Sequence, residues 1–196
     1  MKKLESTWYN MAVVLTLISV IMGGTLAYVN QVTKPTIAKV QQQALEEGIK
    51  NVLGGGEVNV DSTVACTDTN GQPVQIYYTD KGMAVKATDP KGFGGKLTAL
   101  VGLDYEGNIL GYQILETSET PGLGAKAQTW FQAGAKGNII GKAAGNLTVS
   151  KDGGEVDAIT ASTITSRAFL RIVNSAAATA LDRPDAATGA SPQHHN

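Results

Sequence analysis

The stretch LTALVGLDYEGNILGYQILE, residues 97–116, decides the fold that this chain predicts. Two β-rich runs, residues 97–103 and 109–116, flank the turn signal Glu106-Gly107-Asn108. A glycine turn between two such runs is typical of an antiparallel hairpin. The centre of the chain therefore predicts a sheet built from hairpins.

Upstream and downstream segments extend this prediction. The runs 74–79 and 83–88 flank a second turn signal at residues 80–82. After the hairpins, a short helix is expected near residues 128–133 and one more strand at 147–150. Apolar residues at helical spacing then predict a closing helix that runs from Ile164 to Leu181 and ends before Pro184. The fold class is α+β.

A second helical pattern lies before the sheet. Apolar residues keep helical spacing over residues 36–53, where Pro35 suits a helix start and the glycines of residues 54–56 suit its end. We expect a helical neck at residues 31–55. The globular domain then spans residues 56–183, and residues 184–196 form a flexible tail.

The N-terminal segment predicts a membrane anchor. No charged side chain occurs from Ser6 through Thr33, and the apolar run is long enough to cross a hydrocarbon core of roughly 30 Å. Trp8 and Tyr28 suit the two membrane interfaces. We assign residues 8–30 to a transmembrane helix. A cleaved signal peptide is the alternative, with Ala27 as a weak cleavage site.

Charge asymmetry predicts the orientation of this anchor. Lys2 and Lys3 favour a cytoplasmic N-terminus at residues 1–7, although Lys34 and Lys39 lie close to the opposite end. The remaining chain would then be extracytoplasmic. Small residues every fourth position, at 19, 23 and 27, would let another transmembrane helix approach closely.

Composition excludes several classes of function. A net charge of −1 provides no basic surface for nucleic acid. The single cysteine, Cys66, excludes an internal disulfide and a cysteine-built cluster within this chain. His194 and His195 lie together in the tail without a third ligand, so we expect no metal site.

Hydroxyl groups crowd the start of the closing helix. The segment DAITASTITSRAF, residues 157–169, contains five of them: Thr160, Ser162, Thr163, Thr165 and Ser166. One capping residue needs one hydroxyl, and a helix N-terminus with several donors is also suited to a phosphate. Both capping and phosphate binding stay open on this pattern. A serine nucleophile is disfavoured, because no G-x-S-x-G motif and no nearby histidine base are present.

A tight turn forms the second unusual stretch, ETSETPGLGAK at residues 116–126. Leu123 stands at its tip, where it either tucks into the core or contacts an apolar ligand. The segment KGFGGK, residues 91–96, resembles a phosphate-binding loop only superficially, because its glycine spacing is wrong and no helix follows it.

The paired motifs ETPGLG and DAITASTITS, behind one N-terminal membrane helix, resemble the covalent-FMN subunit family. That family includes the G subunit of the Rnf ferredoxin:NAD+ oxidoreductase complex and the C subunit of the sodium-pumping NADH:quinone reductase. The upstream run GFGGKLTALVGLDYEGNILG is also similar to the family. The resemblance covers roughly residues 91–180 and the anchor, and the short chain is more similar to the Rnf member than to its longer cousin.

The resemblance implies a site of covalent flavin attachment. In the family a flavin transferase recognises D-x-x-[ST]-G-A-T and esterifies the last threonine with the FMN phosphate. Here Asp157 would open the motif, Thr160 would take the Ser/Thr place and Thr163 would be the acceptor. Ala161 replaces the usual glycine and Ser162 the usual alanine, so Ser162 is a rival acceptor.

The remaining site residues are implied in the same way. The remaining hydroxyls and backbone N–H groups at the helix start would solvate the phosphodiester, and the glycine turn would pack on the isoalloxazine ring. Alongside Thr163, Thr160, Ser162 and Asp157, the implied cofactor-binding set comprises Ala161, Ile164, Thr165, Ser166, Glu119, Thr120, Pro121, Gly122, Leu123 and Gly124.

By this resemblance the chain would be a membrane-anchored electron carrier in an Rnf-type complex. The complex couples ferredoxin/NAD redox chemistry to Na+ or H+ translocation, and this subunit would perform no complete reaction alone. No nicotinamide fingerprint or cluster ligand occurs, so other integral membrane subunits would handle NADH and ferredoxin. Two alternatives remain: a membrane-tethered flavin sensor, and a structural subunit without flavin.

Overall fold

The structure is a computed structural model that describes residues 8–182. Within these residues the long helix α1 comes first, five strands follow, and two further helices come last. Their bounds are α1 Trp8–Val52, β1 Val60–Thr67, β2 Pro73–Thr79, β3 Gly82–Asp89, β4 Leu97–Leu103, β5 Ile109–Thr117, α2 Ala127–Trp130 and α3 Thr163–Leu181. Short 3-10 turns lie at Gly124–Lys126 and Ser150–Asp152. The segments expected at residues 1–7 and 184–196 lie outside the described residues.

Helix α1 corrects the sequence interpretation at Pro35. We expected a helix to start at Pro35, within the neck at residues 31–55, but Pro35 lies inside one continuous helix. An interior proline removes one backbone hydrogen bond and crowds the carbonyl four residues earlier, which costs about 3 kcal/mol, but the helix nevertheless continues through Pro35. The glycines at 54–56 do end the helical segment, and all three have positive φ angles.

The N-terminal part of α1 meets the physical requirements of a membrane span. Trp8–Val52 contains a stretch long and apolar enough to cross a bilayer, although a signal sequence would satisfy the same test. The hydroxyls of Thr16, Thr25 and Thr33 each donate to the backbone carbonyl four residues earlier, at 2.6–2.8 Å. These polar groups therefore find partners within the helix itself.

The five strands form one antiparallel sheet in the order β1-β2-β3-β4-β5. The expected antiparallel α+β fold is confirmed, and the two predicted hairpins pair as β2–β3 and β4–β5. The sequence prediction missed β1, an edge strand that alternates exposed and half-buried residues. The strand expected at residues 147–150 is wrong, because the structure gives this segment only one bridge, between Val149 and Val156.

Helices cover both faces of the sheet. Helix α3 and the loops before it bury one face. There the ring of Phe169 stacks on that of Phe131 with their centroids 4.6 Å apart, and its centroid lies 4.7 Å from that of the Tyr112 ring. On the other face, Val52 and neighbouring residues at the end of α1 pack against Leu100. This arrangement fixes the start of α3 beside the loop that follows β5.

Candidate functional site

The start of α3 is built by a compact loop. Ser162 is the residue before the first helical position, and its side chain makes no capping bond. Instead, the Ser166 hydroxyl accepts a hydrogen bond from Ile159 N at 2.9 Å and donates one to Ser162 O at 3.0 Å. The buried Ser166 side chain therefore links the loop to the helix, and its hydroxyl already makes two hydrogen bonds within the chain.

Ala161 has an unusual backbone conformation. Its φ angle is +61°, and it is the one non-glycine residue with positive φ in residues 8–182. A side chain in this left-handed region costs about 1 kcal/mol or more relative to glycine. This conformation gives a physical reason for the glycine that the resembled motif usually has at this place.

Thr163, the first residue of α3, presents its hydroxyl to a lysine. The Lys151 ammonium donates a hydrogen bond to Thr163 Oγ1 at 3.2 Å. Thr163 is half-buried; Ile164, which follows it, and Thr160, three residues before it, are exposed, whereas the preceding Ser162 is buried. The hydroxyl that the motif singles out thus stands at the accessible end of the helix, beside a positive charge.

Asp157 occupies the rim of the same loop. Its side chain is exposed and accepts a hydrogen bond from Ser150 Oγ at 3.4 Å, while its backbone carbonyl accepts one from Trp130 Nε1 at 2.8 Å. The backbone at this position is thus anchored, and the carboxylate remains accessible from outside.

The glycine turn after β5 is closed by its own backbone. The N–H groups of Leu123 and Ala125 both donate to Thr120 O, and Gly122 has a φ angle of +79°. Leu123 is 42% exposed, so the alternative in which it tucks into the core does not hold in the structure.

The turn contacts α3 through Gly124. A Cβ on Gly124 would lie 2.8 Å from Thr165 Oγ1 and 2.5 Å from Glu119 Oε2. A Cβ on Gly92 would lie 2.6 Å from Glu119 Oε1, so glycines of two separate loops make room for one carboxylate. The structure therefore brings together the two motifs and the KGFGGK segment.

Glu119 and Thr165 form the polar centre of this contact. Glu119 is 7% exposed and Thr165 is fully buried. Both Glu119 carboxylate oxygens and Thr165 Oγ1 are buried without a hydrogen-bond partner in the described chain. An unpartnered buried polar group costs about 1–3 kcal/mol, so each of these oxygens requires a specific explanation, of which a functional role is one.

The buried positions separate the expected hydroxyls into two groups. Thr160 and Thr163 lie at the accessible end of α3. Ser162, Thr165 and Ser166 are buried. Only the first group, with backbone N–H groups, is available at the helix start without rearrangement.

Sequence reasoning missed two residues at this site. Lys151 contacts Thr163, and Phe93 is 69% exposed between Gly92 and Gly94. A Cβ on Gly94 would collide with Ser118 O, which places the Phe93 loop directly against the segment before the glycine turn. The aromatic residue between two glycines was the available signal for Phe93. The position of Lys151 depends on a turn that the sequence does not specify.

Ion pairs hold the surroundings of the site. Arg167 makes two hydrogen bonds to Asp152, at 2.6 and 2.7 Å, and these hold the pKa of the Asp152 carboxyl below its usual range. Arg171 donates to Asp89 at 2.6 Å. Within residues 8–182, no group of three or more His, Cys, Asp or Glu side chains is arranged to hold a metal ion.

Comparisons with known proteins agree with this arrangement. A family model described as an FMN-binding domain matches residues 92–178, and one described as the RnfG N-terminal region matches residues 1–52. The chain belongs to the RnfG family, whose curated members are G subunits of ion-translocating oxidoreductase complexes. Its FMN-binding domain runs from the Phe93 loop through most of α3, and therefore contains the glycine turn, Lys151 and the motif residues 157–166.

Curated members of the RnfG family, each named as the G subunit of an ion-translocating oxidoreductase complex, align over most of the chain. The relative from Yersinia pestis is 36% identical over 172 residues, which cover 79% of this chain and 81% of that protein. The relative from Escherichia coli K12 is 35% identical, covering 78% and 81% respectively. The relative from Shewanella amazonensis is 31% identical and covers 80% of each chain.

Proposed function

We propose that this chain carries FMN covalently on Thr163, through a phosphoester bond, and relays electrons within an Rnf-type complex. The complex would couple ferredoxin/NAD redox chemistry to Na+ or H+ translocation. The observation that carries the proposal is the accessible Thr163 hydroxyl at the start of α3, beside Lys151 and inside the FMN-binding domain. The chain would act with other integral membrane subunits and complete no reaction alone.

The residues present fit a flavin nucleotide. Thr163 offers the ester oxygen, and the N-terminus of α3 offers free backbone N–H groups and the positive end of its dipole to a phosphate. Large apolar side chains stand exposed on the three segments that meet here: Phe93 is 69%, Leu123 is 42% and Ile164 is 48% exposed. They supply the apolar contacts that a flat ring needs.

Each part of the motif has a proposed role. Asp157, whose carboxylate is accessible, would be read by the flavin transferase together with Thr160 and the Ala161-Ser162 pair. The turn Thr120-Pro121-Gly122 would hold Leu123 against the ring, and Gly124 allows the close approach of that turn to α3. Glu119 and Thr165 would supply buried polar groups next to the cofactor.

Bound FMN would supply the redox chemistry, since flavins accept and release electrons reversibly. The chain itself positions the cofactor and excludes water from its inner side. Thr163 has no local histidine base, so activation of its hydroxyl would fall to the transferase.

The anchor sets the proposed location. Residues 8–30 would span the cytoplasmic (inner) membrane, with the N-terminus cytoplasmic and the FMN-binding domain extracytoplasmic or periplasmic. Covalent attachment suits that compartment, where a lost cofactor would be hard to replace.

Peptide mass tests the attachment. Trypsin cleaves after Lys151 and Arg167, so the peptide Asp152–Arg167 contains the whole motif. From cells that also make the transferase, we expect this peptide to carry the mass of one FMN phosphoester. Thr163→Val should abolish the added mass and the flavin fluorescence of the band on a denaturing gel, and Ser162→Ala should keep both.

A structural subunit without flavin is the second candidate, and the Ala161-Ser162 departure from the usual motif favours it. This candidate predicts an unmodified peptide in the presence of an active transferase. Loss of the modification in Ser162→Ala, with retention in Thr163→Val, would move the attachment to Ser162.

A further inference from the structure

Lys151 is the basic residue that contacts the proposed attachment point. Its ammonium lies 3.2 Å from Thr163 Oγ1, the oxygen that would become part of the ester. A neutral hydroxyl offers a lysine only a modest hydrogen bond, whereas a phosphodiester would place a full negative charge within its reach.

The turn that carries Lys151 is held firmly against α3. Asp152 N and Gly154 N both donate to Val149 O, and Ser150 N donates to Val156 O at 2.8 Å. The paired hydrogen bonds of Asp152 with Arg167 then connect this turn to α3, one helical turn beyond Thr163. The backbone of Lys151 is therefore fixed over the helix start, although its side chain is exposed.

Charge pairing distinguishes Lys151 from its neighbours. The ion pairs found among residues 8–182 link Lys96 to Glu116, Lys142 to Glu155, Arg167 to Asp152, and Arg171 to Asp89. Arg167 also lies near Thr163, but Asp152 already neutralises it. Asp157 contacts Ser150. Lys151 is therefore the cation beside Thr163 that has no carboxylate within ion-pair distance among residues 8–182.

We propose that Lys151 is a positioning residue whose ammonium balances the charge of the phosphoryl group esterified to Thr163. This inference rests on the proposed function. Together with the N-terminus of α3, Lys151 would hold the phosphodiester in one place and thereby fix where the flavin ring begins. The ligand class of this contact is a singly charged phosphodiester.

The test compares thermal melting of the full-length chain in detergent, with and without co-production of the transferase. The variants are Lys151→Gln, Lys151→Arg and the control Lys136→Gln, which changes another exposed lysine. Intact mass gives the flavin-bearing fraction of each preparation. The control removes the same charge from the surface without touching Thr163.

In the flavin-bearing form, we expect Lys151→Gln to lower the melting temperature by about 2–4 °C at low salt, as loss of a phosphate contact predicts for a chain of this size. The flavin-free form should shift by less than about 1 °C. Lys151→Arg should restore most of the loss, Lys136→Gln should leave both forms unchanged, and about 1 M salt should shrink the difference. A flavin-bearing fraction that falls in Lys151→Gln and recovers in Lys151→Arg also supports the proposal.

Equal melting shifts in the flavin-bearing and flavin-free forms would overturn this role for Lys151, and so would a result that matches the Lys136→Gln control. Failure of the proposed function looks different, because the unaltered chain itself would then lack the FMN mass on the peptide Asp152–Arg167.

Discussion

Gly124 and Thr165 are in such close contact that a Cβ on the glycine would lie 2.8 Å from Oγ1 of the threonine. The same Cβ would lie 2.9 Å from the Cβ of Glu119, which cannot swing away as a side-chain end can. The close approach of the glycine turn to α3 thus depends on a missing side chain. Both sequence motifs of the site meet at this point.

The first prediction concerns this contact. We expect Gly124→Ala to lower the free energy of unfolding by about 1–3 kcal/mol, because overpacking forces the turn away from α3. Gly122→Ala is the control: its Cβ meets nothing within 4 Å, although its φ angle of +79° carries a strain of about 1 kcal/mol. Thermal melting of the full-length chain measures both. A loss for Gly124→Ala that is smaller than the loss for Gly122→Ala would contradict the packing argument.

A second prediction uses the strained backbone at the motif. Ala161→Gly should stabilise the chain by about 0.5–1 kcal/mol, because glycine adopts a φ of +61° without steric cost. The relief of this strain exceeds the stability lost through the greater conformational entropy of glycine in the unfolded chain. Ala158→Gly, three residues earlier and without a positive φ angle, should instead destabilise by a similar amount. Melting temperatures that shift in the same direction for both variants would be inconsistent with strain at Ala161.

The buried carboxylate supplies a third prediction. Glu119→Met keeps a similar volume and removes two oxygens that lack hydrogen-bond partners, so we expect the flavin-free chain to gain about 1–3 kcal/mol of stability. Because Glu119 would lie next to the cofactor, removal of its carboxylate should also change the visible absorption of the flavin-bearing variant. Glu116→Gln, which alters an exposed carboxylate paired with Lys96, should do neither. Destabilisation by Glu119→Met would mean that the carboxylate supports the fold.

A fourth prediction concerns pH. Burial alone would raise the pKa of Asp68, but hydrogen bonds from Gln72 N, Ser175 Oγ and Asn70 together bring the pKa below its usual value of 3.8. A pKa lowered by folding adds stability above the unfolded value, and that stability is lost as pH falls through the folded value.

The variant Asp68→Asn tests the sign of this effect. It should destabilise the chain by about 1 kcal/mol at pH 7, because the hydrogen bonds that Asn70, Gln72 and Ser175 donate to this side chain lose their negatively charged acceptor. The difference in melting temperature from the unaltered chain should shrink steadily below about pH 4. A difference that grows as the pH falls would contradict the lowered pKa.

Local sequence signals predicted most of the fold. The glycine turns at residues 80–82 and 106–108 identify the hairpins, since a turn and its flanking strands are determined by neighbouring residues. The signals failed where a distant partner decides. Strand β1 is an edge strand with polar residues, and its pairing comes from β2. In segment 147–150, Leu147 and Val149 are buried in the same hydrophobic core as α3, without joining the sheet.

The site divides along the same line. The motif residues from Asp157 to Ser166 and the turn around Leu123 could be named from the sequence because the resemblance identifies them in order. Lys151 and Phe93 could not, because their approach depends on how the turn Ser150–Asp152 and the loop at Gly92 are placed in three dimensions. The burial of Thr165 and Ser166 likewise depends on which side of α3 packs against the domain.

The end of α1 has a practical consequence for dissecting the protein. A Cβ at Gly102 on β4 or at Gly111 on β5 would press on the carbonyl of Val52, and Leu100 is covered by the same final turns of the helix. The compact unit accordingly begins at Ala44. A fragment that starts at Ala44 and is studied without detergent keeps the helical residues that pack on this face of the sheet. A fragment that starts at Gly54 exposes this hydrophobic face to solvent and is prone to aggregate.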